Sequence, residues 1–193
     1  MQFQRGNIGL FFRGDPTLKL WMPFEEGSGT STRDLSGNGN HGTLNGGALF
    51  RSGKLGNGIY FDGVDDWISG LGNFGQPNTI TIVLWFKTTS ATWQVLFGQS
   101  NVNPSTVPNA FVPSLAIKNT GVLRAELWTG AIGEISTTFS VADGKWHFVV
   151  LTGNVNTQGL YVDGLYIGSR SGTISQSWWT YSTIGTGYGD TYR

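Results

Sequence analysis

The chain has no cysteine. That excludes disulfides, thiolate metal centres and a cysteine nucleophile. It does not exclude an extracellular setting, because a core built from 193 residues needs no covalent staples. Charge is also scarce. Asp, Glu, Lys and Arg make up 12% of the residues, about half the usual share. The 12 basic and 12 acidic side chains cancel to a net charge of zero. No basic field is present to hold nucleic acid by counterion release, and no polybasic segment to hold an anionic membrane. No apolar run approaches the ~18 residues of a bilayer-spanning helix. The opening Met1-Gln2-Phe3-Gln4-Arg5-Gly6 has neither an apolar stretch nor a small-residue cleavage site. The expectation is therefore no secretory signal in the sequence given, with the protein either assembled inside a cell or already processed.

Helical periodicity is lacking as well; what is there is alternation. Glycine is abundant, with 30 residues, and aromatics reach 13%, including 8 Trp. Apolar positions alternate, and Gly, Asn, Asp, Ser and Thr punctuate the chain at the short intervals of an all-β protein. The clearest strand is Thr79–Lys87, with Ile80, Ile82, Leu84 and Phe86 on one face and Thr79, Thr81, Val83 and Trp85 on the other. Because the second face is partly apolar, this strand is expected to be central and covered on both sides. Lys145–Thr152 is another. Gly159–Val162 and Leu165–Gly168 flank Asp163-Gly164. That dipeptide is a strong hairpin signal, since a type I′ turn needs positive φ at both central positions. Further strands are expected at Leu18–Phe24, Gly58–Asp62, Asp66–Ser69, Thr92–Gly98, Ser114–Lys118, Val122–Trp128, Glu134–Phe139 and Tyr181–Gly185. Asn101–Pro113, with three prolines, reads as a surface loop. With no crossover helices the pairing is antiparallel, and two facing sheets bury the strands. Residues 1–16 read as an N-terminal arm and 17–193 as one domain.

Several blocks, in order, carry a resemblance. They are Leu20-Trp21-Met22-Pro23-Phe24-Glu25-Glu26-Gly27-Ser28-Gly29-Thr30; Asp34-Leu35-Ser36-Gly37-Asn38-Gly39-Asn40-His41-Gly42-Thr43; Gly56–Ile68; Ile80–Phe86; Gly144–Val149; and Leu160–Gly164. This series resembles the laminin-G-like jelly-roll branch of the concanavalin A-like lectin/glucanase superfamily. The resemblance implies a two-sheet antiparallel β-sandwich. It implies little about function, because the fold carries binding modules, enzymes and spacers alike. Domains of this branch end on a strand resembling Gly-x-Ile-Asp-Glu-Val-x-Ile-Tyr, a pattern not recognisable here. The strand-like Gly6–Phe12, folded back by Arg13-Gly14-Asp15-Pro16, is expected either to replace it or to leave an edge that a neighbouring subunit completes.

Catalysis is not expected. Glucanases of the superfamily carry a Glu-x-Asp-x-x-Glu strand for retaining hydrolysis, and none is present. Glu126 and Glu134 lie eight residues apart across a glycine-containing turn, and no Ser/His/Asp or His-pair spacing stands out around His41 and His147. The Asp34–Asn40 loop is rich in oxygen donors, and the resemblance implies that it often holds a structural Ca²⁺. Asp34 and Asn38 are the expected ligands, with Glu25 or Asp15 assisting. The alternative is an Asx-rich turn that satisfies only its own backbone. Phe61–Trp67, with Asp62, Asp65 and Asp66, reads as a β-turn whose Asp side chains accept turn amides.

Sugar recognition needs exposed aromatics to stack on pyranose faces. Trp178, Trp179 and Tyr181 are the best candidates, since adjacent Trp residues in a strand cannot both face the core. Trp93, Tyr188 and Trp128 come next. The alternative for these rings is packing under loops or at a subunit interface. Arg13-Gly14-Asp15 reads as a turn. Two functions stay open. One is a recognition or adhesion module for a glycan or another surface polymer, outside the cell or on a virion surface. The other is a structural display or decoration protein of a virion or extracellular filament, assembling as a homo-oligomer through its N-terminal arm.

Overall fold

The structure is a computed structural model that describes residues 15–74, 78–102, 111–131, 133–175 and 180–186. Residues 1–14 of the N-terminal arm, most of the proline loop, and Trp178, Trp179 and Tyr188 lie outside the described residues. The described chain is all β, with antiparallel pairing and no helix among the described residues. It divides into two compact units, residues 1–72 and 73–193.

The first unit holds β1 (Ser31–Thr32), β2 (Gly42–Asn45), β3 (Leu49–Ser52), β4 (Asn57–Tyr60) and β5 (Trp67–Ser69). β2 pairs with β1 on one side and β5 on the other, while β3 and β4 form a separate hairpin. Leu44, Ala48, Phe50, Ile68 and Leu71 are its buried apolar residues. Leu18–Phe24, expected as a strand, is not one. Pro23 offers no amide, and Phe24 adopts φ 60°. The Trp21 amide is drawn off the ladder to the Asp34 carboxylate at 3.0 Å, leaving Leu35 N–H to Trp21 O as the backbone bond.

The second unit holds β6 (Thr79–Phe86), β7 (Gln94–Ser100), β8 (Phe111–Ile117), β9 (Val122–Ala125), β10 (Ile135–Ser140), β11 (His147–Asn154), β12 (Thr157–Val162), β13 (Leu165–Ser171) and β14 (Tyr181–Ile184). They form two sheets, ordered β14-β7-β8-β9-β10 and β13-β12-β11-β6. The expected proline loop ends sooner than its composition suggests, because Phe111–Pro113 already belong to β8. Pro113 is tolerated where the β7–β8 register shifts, between the Phe97↔Leu115 and Gln99↔Val112 pairs.

Strand alternation builds the core between these sheets. On β11 the inward positions are Val149, Leu151 and Gly153, facing Ile82 and Phe86 of β6, Leu160 and Val162 of β12, and Leu115, Ile117, Leu123 and Ala125 across the sandwich. Each fully buried Leu or Val contributes about 1.5–3 kcal/mol. Gly153 fills an inward slot where any side chain would collide, since a Cβ there would lie 2.3 Å from Leu127 Cδ1. The β12–β13 hairpin turns at Asp163-Gly164, both with positive φ, as a type I′ turn requires.

Candidate ligand-binding face

β6 departs from the sequence reading. Among the described residues it pairs with β11 alone, so it lies at a sheet margin rather than in the middle. Its second face is only partly exposed, with Val83 at 52% and Trp85 at 41%. The inward set Ile80, Ile82, Leu84 and Phe86 is as expected.

Register extends this face across the sheet. Val83 sits opposite Val150, Val150 opposite Tyr161, and Tyr161 opposite Tyr166. In the next row along, Trp85 sits opposite Phe148. The Trp85 and Phe148 rings lie 5.0 Å apart, and those of Tyr161 and Tyr166 5.3 Å apart. The outer row crosses three inter-strand spacings, about 14 Å. The result is an apolar and aromatic ribbon perpendicular to four strands, with Tyr166 59% exposed. Flanking Thr81 and Thr152, one pair further along, add hydroxyls. The signal for these residues was present in the sequence as a Trp on the Thr-bearing face of one strand, and as tyrosines out of phase with Leu160 and Val162 in the hairpin.

The aromatic residues expected from the sequence do not gather here. Tyr181 opens β14, is 43% exposed, and pairs with Ser100 at one end of β7. Trp93 precedes Gln94 at the other end of β7 and is half-buried. Six residue steps of strand, about 20 Å, separate those ends, so one sugar ring cannot contact both. The Trp93 indole N–H is buried with no acceptor. Trp128 is half-buried, and its carbonyl accepts the Ser175 amide.

The Asp34 loop resolves into a self-satisfied turn. Asp34 is 5% exposed. Its Oδ1 accepts the amides of Trp21 and Ser36, and its Oδ2 accepts the Ser36 hydroxyl and the Asn40 amide. Four donors fill the four lone-pair sites of the carboxylate. Burial pushes its pKa up, but these hydrogen bonds outweigh it and hold the group below its ordinary value. Asn38 Nδ2 donates to the carbonyl of Leu18 at 2.7 Å. The neighbours are equally engaged. Glu25 accepts the Asn57 amide, Glu26 the Arg33 amide, and Asp15 the Thr17 amide and hydroxyl. His41 Nδ1 accepts the Asp34 amide, which places that ring's proton on Nε2. In this arrangement the Asp34 carboxylate and the Asn38 amide nitrogen serve the turn and its neighbouring backbone.

The two glutamates weighed for catalysis are brought together, but by cations. Arg124 bonds Glu126 through Nη2 and Glu134 through Nε, and Lys118 bonds Glu134. Arg124 and Glu126 are both buried, and Gly133 N–H and Pro113 O complete their contacts. For Glu134, burial raises the pKa, yet Lys118 and Arg124 prevail and hold it below the ordinary value. Both carboxylates thus sit in one cation-bridged network centred on Arg124. His147 is likewise held in place, Nδ1 to Asp163 at 2.7 Å and Nε2 to Asp143 at 3.1 Å.

The comparisons bear on the fold. Domain 4 of AbnA, an extracellular GH43 arabinanase of Geobacillus stearothermophilus whose structure holds arabinotriose, superposes with a TM-score of 0.62 at 16% identity, over 82% of this chain and 80% of that one. The binding domain of Paraclostridial Mosquitocidal Protein 1 superposes with a TM-score of 0.63 at 16% identity, over 90% of this chain and 45% of the other. No curated protein matches in sequence. The family model for the concanavalin A-like lectin/glucanases superfamily, of laminin G type, matches residues 62–193. With that match over most of its length and an all-β sandwich to go with it, the chain belongs to the concanavalin A-like lectin/glucanase superfamily.

Proposed function

We propose that this protein is a non-catalytic carbohydrate-recognition module that takes a glycan chain across the outer face of the β6-β11-β12-β13 sheet. The observation that carries the reading is the ribbon of Trp85, Phe148, Tyr161 and Tyr166 with Val83 and Val150 between them. Indole and phenol rings offer large apolar area with little rotamer entropy to lose, and sugar C–H faces stack on them. A row of about 14 Å suits an oligosaccharide rather than a monosaccharide. The arabinotriose in the AbnA domain supports a sugar ligand for this architecture. The cation-bridged Glu126 and Glu134 support the absence of hydrolysis. Polymeric glycans are met outside the cell or on a particle surface, and the module acts there.

Binding of this kind falls in the millimolar to micromolar range, about −4 to −8 kcal/mol. The test is titration of the full chain with arabino- and gluco-oligosaccharides, read by tryptophan fluorescence and calorimetry. Trp85→Ala is expected to weaken binding about tenfold, roughly 1.4 kcal/mol, without loss of fold. Tyr166→Ala, at a well-exposed position, should weaken it less. Unchanged affinity in both variants would move the site elsewhere, with Tyr181 next in line. Release of reducing ends on prolonged incubation would refute the non-catalytic reading.

A further inference from the structure

The turn joining β4 to β5 carries three aspartates, and one carboxylate oxygen from each of Asp62, Asp65 and Asp66 lies within 4.8 Å of the others. The turn itself accounts for two of the oxygens. Asp62 Oδ1 accepts the Val64 amide at 2.8 Å, and Asp66 Oδ2 accepts the Asp62 amide at 2.7 Å. The remaining oxygen of Asp66 has no such account. Asp66 is only 6% exposed, and its Oδ1 is shut off from solvent with no hydrogen-bond partner. A buried carboxylate oxygen without a donor is costly, and two further carboxylates beside it raise the cost. Among the described residues, no Lys or Arg forms an ion pair with any of the three.

The β2–β3 turn lies close against them. Gly46 and Gly47 both have positive φ. A Cβ on Gly46 would lie 2.3 Å from the Asp65 carbonyl oxygen, and one on Gly47 would lie 3.4 Å from Asp66 Oδ1. Glycine at 47 keeps a side chain off the orphaned oxygen, and glycine at 46 lets the turn approach the Asp65 carbonyl.

We propose that Asp62, Asp65 and Asp66 bind a calcium ion. Calcium takes 6–8 oxygens at about 2.3–2.6 Å, so two oxygens on one ion lie at most ~5 Å apart, the separation these carboxylates already have. An all-carboxylate donor set disfavours zinc, which takes nitrogen and sulfur readily. An irregular turn suits calcium better than magnesium, which demands near-ideal octahedral geometry. The ion supplies the positive partner that the buried Asp66 oxygen lacks, and it ties β4 to β5. This site is separate from the Asp34 loop and independent of the sugar-binding reading.

The test strips the full chain with EGTA and titrates it with calcium chloride by calorimetry, with a thermal melt in parallel. One calcium per chain is expected, with a melting temperature that rises with calcium. Asp65 is exposed and its side chain makes no hydrogen bond among the described residues, so Asp65→Asn should melt like the calcium-free parent and lose affinity at least ~tenfold. Asp62→Asn, whose amide oxygen can still accept the Val64 amide, should behave likewise. Asn38→Ala, in the other loop, should leave calcium affinity unchanged. The proposal is overturned if the parent shows neither heat nor a melting shift up to about 10 mM calcium. It is equally overturned if Asp65→Asn and Asp62→Asn bind as the parent does, or if Asn38→Ala abolishes uptake.

Discussion

Asp34 illustrates how much one short polar side chain organises. Its sequence setting, Asp34-Leu35-Ser36-Gly37-Asn38-Gly39-Asn40, is compatible with a metal loop and with an Asx turn. The two differ only in where the carboxylate's lone pairs go, which local sequence does not specify. Here all four go to protein donors, one of them the amide of Trp21, 13 residues earlier. Asp34→Ala orphans those donors, and the expected cost is about 3 kcal/mol, read from the shift in urea midpoint. By contrast Asp163 was legible outright. An Asp-Gly pair between alternating apolar runs has few backbone solutions, and the observed positive φ values are the expected ones. Its side chain does more than the dipeptide pattern implies, since it also accepts the Phe148 amide and holds His147.

Strand β6 shows where pattern reading reaches its limit. Period-two alternation correctly divided Ile80, Ile82, Leu84 and Phe86 from Thr79, Thr81, Val83 and Trp85. It could not tell a covered second face from an open one, because a Trp and a Val look the same in sequence under a second layer or under solvent. Only what packs on each face decides that, and here Val83 is 52% and Trp85 41% exposed. Leu18–Phe24 failed for a related reason. Its alternation is strand-like, but Pro23 and a side-chain competitor for the Trp21 amide remove the ladder donors. On β11, Gly153 marks an inward slot that has no room. Gly153→Val should cost about 1–3 kcal/mol by overpacking against Leu127 and Ile174. Thr152→Val, on the outer face, should change stability by less than about 0.5 kcal/mol. Chemical denaturation of the two variants side by side checks the facing.

For the whole molecule, the acid limb of stability follows from carboxylates held below their ordinary pKa. In Asp34 and Glu134, burial is outweighed by hydrogen bonds and by nearby cations. Asp143 is lowered by the hydrogen bonds from Lys145, then by that from His147. A carboxylate with a depressed folded pKa stabilises fully above its unfolded value and loses that contribution as pH falls through the folded one. Urea midpoints should therefore carry these contributions in full above about pH 5 and fall steadily below about pH 4. Adding salt at neutral pH should matter little for the Arg124–Glu126 pair, which is shielded from solvent. Arg124→Met strands the buried Glu126, while Glu134 keeps Lys118, and a loss of about 3–5 kcal/mol is expected.

What the amino-acid sequence determined by itself is the class of architecture and its grain. Alternation, turn dipeptides and the absence of helical spacing leave an antiparallel sandwich as the way to bury so many short strands, and the ordered motif blocks name its superfamily. What tertiary structure alone decided is which side chains face water and which polar atoms find partners. The aromatic ribbon on β6, β11, β12 and β13 joins residues 83 to 166, and the oxygen-filled loop around Asp34 draws on Trp21. Such groupings arise from strand register and chain reversal, and those are settled by packing between segments far apart in sequence.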